Sequence, residues 1–352
     1  MFLKEGVYST SQAFIDDNWV DGGIKVSNSK LISYGEAVGK TGVAIPGFVD
    51  LQVNGHGGID LLQAQTVEDI RKISQSLFNF GVVAYLPTLI TGPIENHFRV
   101  LGLIEQVRKE PKENEAIIIG THLEGPFISS KKPGVHPVEY ILEPDIQLLG
   151  EFLRAGKISQ VTIAPELTNS LTAIKFLSDS GVVVSLGHSD ANAAQATAGF
   201  DAGATTVTHL WNAMKKQSES EIGLAQIALD REDVMIQLIV DEVHLDRKLV
   251  IESIKKCPRR FILTVDAVSA AGLGDGKFSF GQINITVKNN RATRSDGTLA
   301  GGVGSIKNSL SLLLDYGIDL TDAIQSVTSR PADLMGRSDL GRLNLGSPAQ
   351  IW

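Results

Sequence analysis

From Val43 onward the chain alternates apolar runs with amphipathic stretches, and that alternation confines it to folds built on a parallel sheet. Eight runs read as strands: Ala44 to Val53, Val82 to Leu86, Ala116 to Leu123, Ser159 to Ala164, Val182 to Leu186, Thr205 to His209, Val234 to Val240 and Phe261 to Val265. Helical patterns fall between them at Val67 to Phe80, Ile94 to Lys109, Asp145 to Arg154, Leu171 to Ser180, Ala191 to Ala202 and Lys248 to Lys256. This spacing predicts an α/β protein with a (β/α)8 TIM-like barrel of about 250 residues, an open doubly wound sheet being the second reading.

The flanks read differently. Residues 1 to 43 alternate short apolar runs with turn residues, as a small sheet of paired strands does. After the eighth strand, Phe278 to Thr293 alternates apolar and polar residues around Asn289-Asn290, a hairpin pattern. Helices are expected near Gly304 to Tyr316 and Leu320 to Ser329, and Leu345 to Trp352 reads as a turn and a short strand start that rejoins the first sheet. The expected division is a barrel over 44–335 and a small β domain made from 1–43 and 336–352.

Composition narrows the partners. With 352 residues, 43% of them hydrophobic and 20% charged, the chain buries a large core. A formal net charge of -8 argues against a nucleic-acid or anionic-membrane surface and for a small-molecule substrate. The lone Cys257 excludes an intrachain disulfide and a cysteine zinc cluster, and residues 1–20 lack the order of a signal peptide. No apolar run approaches the roughly 20 residues of a membrane span, so a cytoplasmic protein is expected.

Six of the eight predicted strands end on chemistry. The C-terminal ends carry Gln52 and Asn54, Glu124, His188, His209, His244 just past the seventh strand, and Asp266. A single strand-end histidine is more often structural, but barrel closure would bring all of these to one mouth. Glu124, His188 and His209 offer one carboxylate and two imidazoles from different strands, a set suited to Zn2+ or Fe2+ with a position open for water. Such binding lowers the pKa of water from about 15.7 toward about 7, and Asp266 is then placed to act as general base.

Taken together, Pro46 to Gly55, His122-Leu123-Glu124-Gly125-Pro126, Gly187 to Ala191, His209 to Met214, Thr264 to Ala267 and Leu299-Ala300-Gly301 resemble the N-acetylglucosamine-6-phosphate deacetylase family of the amidohydrolases. The resemblance implies a barrel with a small β-sandwich-like domain from both chain ends, a homodimer, and hydrolysis of an acetamide to acetate and an amino sugar. Glu124, His188 and His209 match the metal ligands, Asp266 the base and later acid, and His136 the histidine that polarises the carbonyl. Asn212, Ala213 and His244 match substrate-contacting positions, and Leu299 belongs to a closing loop that lacks the ending of a phosphate-binding P-loop. Gln52 and Asn54 stand where many amidohydrolases carry histidines for a second metal, so one ion is expected. His122 is read as a neighbour of the site, His97 as solvent-facing and His56 as a turn residue.

Two alternatives stay open: a cyclic-amide hydrolase using the same metal and aspartate, and a non-catalytic sugar-binding relative. A departure bears on the substrate. Where the family carries an arginine for the substrate phosphate, the spacing falls on Ser220, between Glu219 and Glu221. A hydroxyl lacks the charge and the bidentate fork, so weakened preference for a 6-phosphate, or action on an unphosphorylated N-acetyl sugar, is the alternative to N-acetylglucosamine 6-phosphate.

Overall fold

The computed structural model describes residues 5–215 and 222–352. Eight parallel strands form the barrel wall: β1 (Phe48–Val53), β2 (Val82–Ile90), β3 (Thr121–Glu124), β4 (Ile158–Ile163), β5 (Val183–Leu186), β6 (Thr206–Val207), β7 (Met235–Ile239) and β8 (Phe261–Thr264). Each pairs with the next, and β1 meets β8 through Asn54 N–H to Ala267 O (2.7 Å) and Ala267 N–H to Gln52 O (3.3 Å). The architecture is therefore a (β/α)8 barrel. Ahead of β3, Ile117–Ile118 also pairs with β2, and the register slips at Ile119-Gly120, re-aiming the side chains that follow.

Five of the connecting helices start where their sequences supply side-chain caps. Thr66 and Asp69 form a reciprocal capping box on α1 (Val67–Asn79), as Asn192 and Gln195 do on α5 (Ala193–Asp201). Between them lie α2 (Ile94–Lys109), α3 (Ile146–Ala155), capped by Asp145, and α4 (Ser170–Asp179). Then come α6 (Leu224–Asp230), α7 (Arg247–Lys256), capped by Asp246, and α8 (Ile306–Asp315), capped by Ser305. The barrel's interior base is a separate apolar cluster of Val49, Leu51, Ala84, Leu86, Ile119 and Ile262, packed with Ala332 and Leu340.

Both chain ends build a second, smaller layer. Strands Gly6–Tyr8, Gly23–Ser27 and Lys30–Glu36 make one sheet, and Thr10–Ile15, Asn18–Asp21 and Val38–Ala44 another. Their shared core of Ala13, Ile15, Ile24, Val26, Leu31 and Ala44 is completed by Leu343, Ala349 and Ile351. Ile45 and Trp352 exchange backbone hydrogen bonds of 3.0 and 2.9 Å.

Four local expectations change. Pro46 and Gly47 split the first predicted strand, since proline has no N–H for the ladder and a Cβ on Gly47 would come within 2.2 Å of Val83. The helix α6 is absent from the sequence reading because it is only seven residues long, about two turns, and has no side-chain cap. The helix expected over Leu320 to Ser329 is two, α9 (Leu320–Gln325) and α10 (Ser329–Leu334). Pro331 lacks the N–H a continuous helix would use there and is tolerated only in the first turn of a new one. The hairpin is a three-stranded sheet, β9 (Gly276–Phe280), β10 (Ile283–Lys288) and β11 (Arg291–Thr293), whose second turn has Asn289 and Asn290 at φ of 52° and 59°.

One buried ion pair ties a helix to the approach to β3. Arg71 on α1 meets Glu115 at 2.7 Å and also donates to Glu110 O at 3.1 Å. Glu115 accepts further from Gln75 (3.3 Å) and Lys112 N–H (3.3 Å). Removing one partner strands a charge in the interior, so Arg71→Ala is expected to lower stability by about 3 to 5 kcal/mol. Urea unfolding of the purified variant against the parent measures this.

Candidate active site

The strand tips converge as the closed barrel requires. Glu124 ends β3, and Gly125 follows because a Cβ there would lie 2.2 Å from Thr91 Oγ1. His188, His209 and Asp266 each stand two residues beyond a strand end, at φ of 46°, 31° and 55°. Such left-handed backbone is uncommon for residues with a Cβ and persists where the surroundings enforce it.

Three donor atoms meet. Glu124 Oε1 lies 2.9 Å from His209 Nε2 and 3.2 Å from His188 Nε2, and the two imidazole nitrogens are 3.2 Å apart. His188 Nδ1 lies 3.0 Å from Lys132 O. A carbonyl only accepts, so Nδ1 carries the proton and His188 Nε2 turns a bare lone pair toward the other donors. Electron-rich atoms held this close fit a cation between them: ligands bonded at about 2.0 to 2.1 Å in a tetrahedron stand about 3.3 Å apart. Burial pushes Glu124 up, but the adjoining His188 and His209 rings outweigh it and hold the carboxylate well below its usual range.

Asp266 lies beside this cluster. Its Oδ1 accepts from Asn54 Nδ2 at 2.7 Å and from Gln52 Nε2 at 2.9 Å, while the same Gln52 nitrogen reaches Glu124 Oε1 at 2.9 Å. Burial and the Glu124 charge push Asp266 well above the usual carboxylate range, and a divalent cation at the cluster would oppose that. Gln52 and Asn54 thus offer N–H donors to the two carboxylates, and donors disfavour a second cation there.

His136 comes from the loop after β3. Thr91 N–H donates to His136 Nδ1 at 3.3 Å, and Thr91 Oγ1 sits 2.9 Å from the same nitrogen. Nδ1 is therefore the acceptor, and Nε2 carries the proton. Burial, helped by His188, lowers the His136 pKa to about 3, which keeps the ring neutral. On the opposite rim, His244 Nδ1 is 2.7 Å from Asp241 Oδ2. Burial raises Asp241, but its hydrogen bonds to His244 hold it below the usual range.

Glu124, His188, His209, Asp266, His136 and His244 surround a pocket of about 250 Å³ that also takes in Asn212, Ala213 and Leu299. Ser220 lies outside the described residues. Ile90, Val135, Ile239 and Phe280 complete the apolar wall and were missed. Thr91 escaped notice because β2 runs to Ile90, four residues past its predicted end.

The other histidines are structural. His97 is buried rather than solvent-facing: it shares the inner stripe of α2 with Leu101 and Ile104, packs on Phe152 and bonds Pro93 O at 3.1 Å. His122 bonds Thr162 Oγ1 at 2.7 Å within a polar layer inside the barrel. His56 bonds Ser76 Oγ at 2.8 Å in the short ribbon after β1.

A closed parallel barrel whose mouth holds a Glu-His-His cluster and a second buried carboxylate defines a metal-dependent hydrolase. Residues 43–352 match the amidohydrolase family model. An N-acetylglucosamine-6-phosphate deacetylase from Bos taurus is 31% identical over 358 residues, covering 96% of this chain and 87% of the relative. The enzyme of that name from Pasteurella multocida superposes with a TM-score of 0.89 at 26% identity, covering 97% of this chain and 94% of that one. A mutant of the Mycobacterium smegmatis enzyme, solved with N-acetyl-D-glucosamine-6-phosphate, gives 0.89 at 27% identity over 99% and 93%. The chain belongs to the N-acetylglucosamine-6-phosphate deacetylase family, a branch of the amidohydrolases.

The donor geometry predicts about one tightly held divalent ion per chain. Elemental analysis of protein purified without added metal should show it, and Glu124→Gln should lose most of it. Two equivalents, both required for turnover, would contradict the donor role of Gln52 and Asn54.

Proposed function

We propose that this chain hydrolyses the acetamide of N-acetylglucosamine 6-phosphate, giving glucosamine 6-phosphate and acetate. The observation that carries the reading is the Glu124-His188-His209 cluster with Asp266 and a neutral His136 facing one pocket. Family membership supplies the substrate.

Glu124, His188 and His209 would hold the ion, and two imidazoles with one carboxylate suit Zn2+ or Fe2+. When bound, it supplies Lewis acidity and makes water nucleophilic near neutral pH. Asp266 takes the proton as water attacks the acetamide carbonyl carbon. Its Oδ1 is already occupied by two amide donors, so Oδ2 is the oxygen that accepts. His136 Nε2–H donates to the carbonyl oxygen as negative charge builds there. When the C–N bond breaks, Asp266 returns the proton to the departing amine; the acetic acid formed gives up its remaining proton, which the amine takes up, and leaves as acetate. His244, Asn212, Ala213 and Leu299 hold the sugar and its substituents. A sugar phosphate does not cross a bilayer unaided, which favours the cytoplasm, and no described helix is long and apolar enough to span a membrane.

A second reading keeps the chemistry and changes the substrate. Ser220 between Glu219 and Glu221 offers no fixed cation to a phosphate, which favours a sugar without one. Comparing kcat/KM for acetate release from N-acetylglucosamine with and without the phosphate separates the two. A preference above about 10³-fold for the phosphorylated sugar, some 4 kcal/mol, establishes the first reading. A ratio near one establishes the second.

Asp266→Asn keeps the shape of the site and removes proton transfer. Turnover should fall by about 10²- to 10⁴-fold while metal content stays at the parent level. Near-parental turnover would place the base elsewhere.

A further inference from the structure

One buried carboxylate near the pocket has no part in this chemistry. Asp60 lies in the short strand Ile59–Asp60 that follows β1 and is 5% exposed. Burial pushes its pKa up to about 6, while hydrogen bonds from backbone N–H groups pull it down. Its Oδ2 accepts the N–H of Gly281, and its Oδ1 accepts the N–H of Gln63 at 3.3 Å. Gln63 Nε2 donates back to Gly281 O at 2.9 Å. Both backbone polar groups of Gly281 are therefore held by the segment after β1.

Gly281 is the turn between β9 and β10, directly after Phe280. It sits at φ +54°, and a Cβ there would come within 2.9 Å of Ile90 Cδ1. Ile90 pairs in register with Glu124 and precedes Thr91, the residue that holds His136. Ile90 and Phe280 both line the pocket. The sheet β9–β11 lies outside the barrel ladder, so barrel hydrogen bonds do not set its distance from Ile90. Asp60 and Gln63 fix its Gly281 turn, together with Ser269 Oγ–H donating to Ser279 O, while Ala300 N–H to Ala292 O and the packing of Ile285 and Val287 hold the rest of the sheet.

We propose that Asp60 is a positioning residue for acyl selectivity, holding Phe280 against Ile90 so that the pocket admits acetyl and excludes longer acyl groups. This rests on the deacetylase reading. With the scissile carbonyl between the Glu124 cluster and His136, the acyl substituent is one carbon–carbon bond away, about 1.5 Å. That places it beside Ile90, the neighbour of both. An apolar wall fixed at methyl distance discriminates against one further methylene by about 10- to 200-fold. Releasing Gly281 lets the Phe280 side of the wall withdraw and the discrimination falls.

The test is competition between N-acetyl- and N-propionylglucosamine 6-phosphate, with the two acids released quantified from one reaction. The parent is expected to favour acetyl by at least about tenfold. Asp60→Ala should cut that ratio at least fivefold, Asp60→Asn, which keeps an acceptor oxygen, should restore most of it, and Phe280→Leu should cut it directly. Should Asp60→Ala fail to fold, Gln63→Ala removes the other half of the clasp and is expected to shift the ratio in the same direction. Partial unfolding or metal loss lowers both rates alike and leaves the ratio unmoved. An unchanged ratio in Asp60→Ala or Gln63→Ala, or a parent that does not discriminate, overturns the proposal. A parent that releases no acetate from any N-acetyl amino sugar overturns the deacetylase reading instead.

Discussion

The site depends on the closure of β1 against β8. The bonds that complete the ladder, at Gln52, Asn54 and Ala267, are made by residues that lie in or adjoin the candidate site. Gln52 and Asp266 are 214 positions apart in sequence, yet the closed ring leaves them 2.9 Å apart. An open sheet of the same strands would line the same residues along an edge, where a single small substrate could not touch them all. Closure also explains why three of the candidate site residues tolerate a left-handed backbone: each leaves a pinned strand end and must turn inward at once.

Much of this was readable from the order of residues, for physical reasons that also mark the limit. Most of the buried strands lie in apolar runs, and Ile94–Lys109 was legible to the residue because its apolar stripe and basic C-terminal end agree. Strand-end polar residues stand out against such runs, so Glu124, His188, His209 and Asp266 could be found. The parts that escaped are set by tertiary neighbours. Nothing local says that His97 faces Phe152, or that Thr91 fixes the tautomer of His136 from 45 residues away. Ile90 and Phe280 look like any other apolar residues at strand ends, and only the fold puts them on one wall.

The cluster is costly in isolation. Two imidazoles and a carboxylate crowd their lone pairs into about 3 Å, and Asp266 is buried next to another carboxylate. A bound cation would relieve both, so the arrangement that strains the metal-free protein is the one that favours ion binding. The amides of Gln52 and Asn54 reduce the strain from the other side by supplying N–H donors to both carboxylates.

The β layer shared by the two chain ends has a consequence for how the molecule is made. Its core needs Leu343, Ala349 and Ile351, and Ile45 finds its backbone partner only in Trp352. On a ribosome, the first strands therefore emerge with unpaired edges and wait while the whole barrel is synthesised between them and their partners. At about 5 to 20 residues per second that wait lasts tens of seconds, long enough for exposed strand edges to meet other nascent chains. The stretch from Leu343 to Trp352 is the one that ends this exposure.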